Sequence, residues 1–374
     1  MSQATIRKFL LLLVAITLTL ANVTIELPTQ AQDTSKSYTP PKIIRSWSTT
    51  GLAFAGDKFV VSLNTNGRDL VLFSTDLSAR YSKSFAPKID ISGGNVETSF
   101  VHPVASSLGL GGFPCRDIYV GAGNTVLHIT GDGTNSDTHT SGLDGIVRTL
   151  LFDAVGTFDH DLLAATQTGV IYRINKSGTA TLLVSVGEDI KGMDIVPLGS
   201  GFGAYDGQLI VMSEISGLIR AINATGPTTI LNDKNPIHGG EALFILPRDM
   251  GDSGRMVEGL YIVFFPLRIV QPDLDYLKPY EKDAIIAAQK DNVGTMRRMH
   301  WNGSEFVFTS IMNFTAPLRG ATLVTPTMIN PVAGCSMSSE SDTSPADLSC
   351  APFCRPKGPP GPPYLKRIEA GKRE

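Results

Sequence analysis

The 374-residue sequence is short of the features that mark several large protein classes. It has no basic excess: 32 Lys and Arg stand against 35 Asp and Glu, a net charge of −3, so nothing electrostatic draws it to nucleic acid. Only one long apolar run occurs, "FLLLLVAITLTLA" at residues 9–21, and it is shorter than the ~20 residues a membrane-spanning helix needs. Glycine-rich "GNTVLHITGDG" lacks the strand-to-helix context of a phosphate loop. Cysteine is scarce. Of the four, Cys335, Cys350 and Cys354 crowd near the C-terminus with no histidine beside them, which argues for disulfides over a metal site.

What is present points to an exported, turn-rich protein. Hydrophobic residues at 42% and charged residues at 18% describe a folded chain. With 37 Gly and 23 Pro, they favour short strands over long helices. Arg7 and Lys8 precede the apolar run, and small residues follow it, with an exit after Ala21 or after Ala31. That layout predicts a secretory signal peptide over 1–31, a secreted or periplasmic product, and no stable membrane span after cleavage. Four cysteines in an exported chain imply disulfides, with three connectivities open.

The central pattern is a repeat. "DLLAATQTGVIYRINKSGTATLL" (161–183) aligns with "LIVMSEISGLIRAINATGPTTIL" (209–231), pairing Gly169 with Gly217, Asn175 with Asn223 and Gly178 with Gly226. Weaker copies are "DIYVGAGNTVLHITGDGT" (117–134) and "KFVVSLNTNGRDLVLFSTD" (58–76). A fifth joins "EGLYIVFF" (258–265) to "GTMRRMHWNGSEFVFTSI" (294–311) across an insertion. The clear copies follow another apolar run: "TGLAF", "VRTLLF", "KGMDIV" or "GEALFIL". Four strands per unit, recurring every roughly 40–50 residues, is the period of propeller blades. One such sheet cannot bury both faces alone, whereas stacking around an axis does so.

The expected fold is therefore all-β, a β-propeller of four-stranded blades over 45–331. Six blades are expected, with five or seven as alternatives. Residues 319–331 would open the last blade, completed by N-terminal residues 42–47 as a clasp. Residues 32–44 read as a linker. The segment 268–292 reads as an inserted loop with a helix-compatible stretch at 283–290. Residues 332–374, with "GPPGPP", read as a Cys/Pro-rich flexible tail.

On patterns such as "LLFDAVGTFDHDLLAATQTGVIYRIN", residues 45–330 resemble the six-bladed propellers that include NHL-repeat, gluconolactonase-like, strictosidine-synthase-like and sorbosone-dehydrogenase-like proteins. The resemblance implies an axial ligand site near the starts of the innermost strands. The candidates there are Arg148, Lys191, His238 and Glu241, with Asp144, Asp194 and His102 nearby. Glu241 looks like the acidic residue that many relatives place at the start of an inner strand. A gluconolactonase-like chemistry implies Ca²⁺ held by Glu241, Asp194 and Asp144, since hard cations take several oxygens. The Glu-Gly-Pro stretch typical of that group is replaced here by "TTGLAFAGD". A sugar-dehydrogenase-like chemistry implies a bound quinone near His238, Arg148 and Arg298. No complete catalytic motif accompanies either. The reading adopted is a monomeric exported propeller that binds a small molecule, glycan or protein on its axial face. A Ca-assisted lactone or ester hydrolase and a quinone-dependent sugar dehydrogenase are the alternatives. Sequons at Asn22, Asn175, Asn223, Asn302 and Asn313 are glycan acceptors if the host modifies them.

Overall fold

A computed structural model describes residues 103–264, 268–290, 293–316, 318–330 and 335, with segments 25–26, 42–45, 49–56, 58–63 and 70–73. The expected signal peptide apart from residues 25–26, His102, Cys350, Cys354 and the Asn22 sequon lie outside the described residues.

The described strands form antiparallel sheets arranged as a propeller of four-stranded blades. Five of the six sheets have four strands or more. The sixth, Thr49–Phe54, Phe59–Leu63 and Leu70–Phe73, has three. The described residues thus make five complete blades rather than the six expected. Residues 74–102 lie outside the described residues.

Burial grades outward from the axis, and the sequence follows it. Second strands, such as Leu162–Thr166 and Leu209–Ser213, are buried at every position, because neighbouring sheets cover both of their faces. They therefore read as continuous apolar runs. The outer strand Thr228–Ile230 is exposed throughout. Between sheets lie compact apolar clusters, for example Leu163, Ala165 and Ile171 of one sheet against Ile190, Leu209 and Val211 of the next.

Three four-stranded sheets are contiguous in sequence: Val104–Ser106, Ile118–Ala122, Thr125–Ile129 and Ser136–Thr140; then Val147–Phe152, Leu162–Thr166, Val170–Ile174 and Ala180–Ser185; then Ile190–Ile195, Leu209–Ser213, Ile219–Ile222 and Thr228–Ile230. The chain then departs from the expected order. After Gly240–Ile245, strands Gly259–Phe264 and Arg268–Gln271 join the sheet of Leu318–Val324. Only afterwards does the chain return to pair Ala284–Lys290 with Gly240–Ile245, followed by Val293–Trp301 and Phe306–Phe314. The expected fifth unit therefore divides between two sheets. The segment 268–292 is not a projecting loop: it holds two strands and one helical turn, Leu274–Leu277. "AIIAAQK" is strand because five successive positions are buried between sheets, an environment that erases the alternation by which strands are recognised.

Closure joins the two ends of the described chain. Lys42–Arg45 pairs with Arg268–Gln271 in the sheet of Leu318–Val324, the clasp expected from 42–47 and 319–331. Cys115 and Cys335 form a disulfide with a Cα–Cα distance of 5.7 Å, one of the three connectivities left open by the sequence.

Candidate functional site

The site begins with a backbone irregularity repeated at the same place. In five of the six inner strands the pairing with the neighbour skips one residue, between Thr49 and Gly51, Val147 and Thr149, Ile190 and Gly192, Gly240 and Ala242, and Leu318 and Gly320, whereas Val104–Ser106 pairs without a skip. A bulge leaves its extra residue out of the ladder and re-aims it. In three of these strands the extra residue is Arg148, Lys191 or Glu241. All three line an axial cavity of about 520 Å³. Its wall is largely apolar, with Phe54, Ala105, Leu150, Met193, Leu243 and Leu323 each contributed by a different inner strand.

Turns on the same face extend these into a partial collar of alternating charge across three neighbouring sheets. Arg148 grips Asp189 in bidentate fashion, Nε to Oδ1 at 3.1 Å and Nη2 to Oδ2 at 2.9 Å, and reaches Glu214 Oε2 at 3.4 Å. Lys191 Nζ donates to Glu214 Oε1 at 2.8 Å and to Glu241 Oε2 at 3.2 Å. The Glu241 side chain is only 5% exposed. Burial pushes the Asp189 carboxyl up against the pull of Arg148. Glu214 is also desolvated, but Lys191, Asp189 and Arg148 together hold it below the usual carboxylate range. Each cation thus holds two carboxylates. Removing one member would strand a partly buried partner, which costs about 3–5 kcal/mol in such networks.

The other expected residues lie elsewhere. Asp194 lines the cavity, but its carboxylate clamps two inner strands together. Oδ1 accepts from Ile195 N at 2.8 Å and Oδ2 from Ile245 N at 2.7 Å. Burial raises its pKa to about 7 against the pull of those amides. Asp144 is exposed, and its backbone contacts Tyr172 and Thr168. Asp144, Asp194 and Glu241 therefore do not fit a shared calcium site, and among the described residues no group of three or more His, Cys, Asp or Glu is placed to hold a metal. His238 is exposed, donates Nδ1–H to Ile215 O at 2.7 Å and does not line the cavity. Arg298, on the third strand of its sheet, pairs with the buried Asp283, also away from the cavity lining. These residues do not assemble a quinone pocket with Arg148.

Asp189 and Glu214 were not foreseen from the sequence. They sit in "VGEDIK" and "SEISG", a connection into an inner strand and a turn between second and third strands. Antiparallel order places both kinds of segment on the face where inner strands begin, and that rule would have found them.

The opposite end of the cavity has a fixed floor. After Leu318–Val324 the chain makes a helical turn, Pro326–Ile329, whose Met328 lines the cavity. Arg116 donates to the carbonyls of Met328 and Ile329, both at 2.8 Å. The adjacent Cys115 is bonded to Cys335 a few residues further on.

No family model matches the sequence, and no curated protein matches it. Among solved structures, a streptogramin B lyase is similar at 9% identity and a TM-score of 0.42, covering 72% of each chain. Virginiamycin B lyase from Staphylococcus aureus is similar at 13% identity and a TM-score of 0.40, covering 77% of this chain and 87% of that one. A chain from a nidogen/laminin complex is similar at 14% identity and a TM-score of 0.33; the match covers 46% of this chain and only 59% of that one. At such identities and scores, nothing about function follows. Among the described residues no helix is long and apolar enough to cross a membrane.

Proposed function

We propose that the chain is an exported, monomeric binding propeller of six blades, the three-stranded sheet being the sixth. Its ligand is a small amphipathic molecule that enters the axial cavity from the collar face. The supporting observation is the pairing of a largely apolar 520 Å³ cavity with an arc of alternating charge at its mouth. Sites of this size with few convergent polar groups suit small-molecule recognition. A zwitterionic head group matches the alternation, its carboxylate exchanging onto Arg148 or Lys191 and its ammonium onto Glu214 or Glu241. Both cations hold carboxylates already, which favours recognition over acid–base chemistry.

The test is titration of the purified chain with Nε-dansyl-L-lysine, which carries a zwitterionic head and an apolar fluorescent body. Saturable one-to-one enhancement is expected. It should be abolished in Thr322→Trp, which projects an indole into the cavity, and weakened at least several-fold in Glu241→Gln. Undiminished binding in a Thr322→Trp chain that melts like the wild type would refute the axial site.

A further inference from the structure

Three of the sequons share one structural address. Asn175, Asn223 and Asn302 each stand in the turn between the third and fourth strands of their sheet, in three sheets that are neighbours around the axis. In each turn the asparagine Oδ1 is occupied from within the sequon. It accepts from Ser177 N and Oγ at 3.0 and 2.7 Å, from Thr225 N and Oγ1 at 2.9 and 2.9 Å, and from Ser304 N and Oγ at 2.9 and 2.9 Å. Among the described residues the Nδ2 group of each donates to no protein atom. The modified atom of an N-linked acceptor is thus presented alike three times.

The fourth described sequon differs. Asn313 lies inside the strand Phe306–Phe314, paired with Thr295 of the neighbouring strand. Its Oδ1 accepts from Thr295 Oγ1 at 3.1 Å and Ser310 Oγ at 3.3 Å, side chains outside its own sequon.

The three turns also share a face. Arg148 and Lys191 are joined through Glu214, and Lys191 also holds Glu241, so the inner strands of these sheets begin at one end of the axis. In an antiparallel four-stranded sheet, the turn between strands three and four then falls at the opposite end.

We infer that Asn175, Asn223 and Asn302 are N-glycan acceptor sites, and Asn313 is not, so that oligosaccharide lines the outer rim of the face away from the collar. Modification requires passage through a glycosylating lumen, the route the N-terminal leader is expected to open. The inference is independent of the ligand reading, because none of these asparagines lines the cavity.

The experiment is to express the full chain in secreting mammalian cells, treat it with peptide-N-glycosidase F in ¹⁸O water and map labelled Asp by mass spectrometry. Label is expected at 175, 223 and 302, with 313 unlabelled. Ser177→Ala, Thr225→Ala and Ser304→Ala should each remove one glycan's mass from the intact protein. A chain recovered from the medium or the secretory lumen without glycan at these three positions would overturn the assignment. So would label at 313 equal to that at the turns.

Discussion

The sheets spanning 147–185 and 190–230 are each one uninterrupted stretch of chain, whereas the two that follow share theirs. In the first pair every strand pairs with its predecessor, so the pairing contacts are local. In the second pair, Gly259–Phe264 waits until Leu318–Val324 for its inner neighbour, and Arg268–Gln271 takes Lys42–Arg45 as its outer one. Long-range pairing must overcome loop-closure entropy before it stabilises anything. The difference teaches where the molecule needs fastening: the disulfide and the Arg116 contacts both hold the segment that follows the last inner strand.

The sharpest attempt to break this comparison is Cys335→Ser. A crosslink spanning 220 residues restricts the unfolded chain by about 5 kcal/mol in the chain-entropy account. A large fall in melting temperature is expected. Hydrogen exchange should accelerate first at 259–271 and 318–324. Equal acceleration at 162–174 would mean that the two regions are not distinct.

Next comes Asp153→Ala, inside the contiguous pair. This carboxylate is 1% exposed and accepts from the amides of Val155, Gly156, Phe158 and His160 at 2.7–3.1 Å. It thereby holds Asp159 and His160 at φ of +58° and +60°, a conformation non-glycine residues rarely adopt. Orphaning four amides should cost about 4 kcal/mol, read by urea denaturation. A loss below about 1 kcal/mol would show that local pairing alone sustains that sheet.

A matched pair of turns sharpens the contrast further. Gly178 (φ +80°) and Gly303 (φ +100°) occupy the same turn in a contiguous and an interleaved sheet. A methyl group on Gly178 would meet the His139 carbonyl at 1.9 Å, and one on Gly303 would meet nothing within 4 Å. Gly178→Ala should cost about 3 kcal/mol and Gly303→Ala about 1 kcal/mol, by denaturant midpoints. Equal costs would show that the packing of that turn on the preceding sheet is unimportant.

The smallest effect lies at the seam. Asp194 ties the contiguous Ile190–Ile195 to the interleaved Gly240–Ile245. Its folded pKa, about 7, exceeds the ordinary carboxylate value, so the folded state binds the extra proton between about pH 4 and pH 7. That contribution to stability is present at low pH and disappears as pH rises through 7. Melting temperature measured from pH 4.5 to 8 should therefore decline less steeply in Asp194→Asn than in the wild type. Parallel profiles would remove Asp194 from the account of the seam.

The sequence made the contiguous sheets legible because their turns are short and glycine-marked, and their buried second strands are bounded by polar residues. The N-terminal clasp was legible from the same spacing. The interleaving was not, since strand order within a sheet leaves no trace in local periodicity, and "AIIAAQK" suits a buried helix as well as a buried strand. At the site, Arg148, Lys191 and Glu241 were found because they start inner strands. Asp194 starts none: it sits late in its strand, where burial turns a carboxylate into a backbone clamp. Asp189 and Glu214 come from loops whose meeting depends on which face each connection occupies.

The repeated bulge has a consequence for how such a molecule changes over time. A bulged residue stands outside the ladder, so its identity is released from the pairing that fixes its neighbours. The charged residues at the mouth then form a linked set of settings, mounted on a wall that need not change. Exchanging Arg148, Lys191 or Glu241 together with the residues it pairs with would alter what the mouth admits while the sheets keep their registers. In this scaffold new specificity lies within reach of a few paired substitutions rather than a rebuilt core.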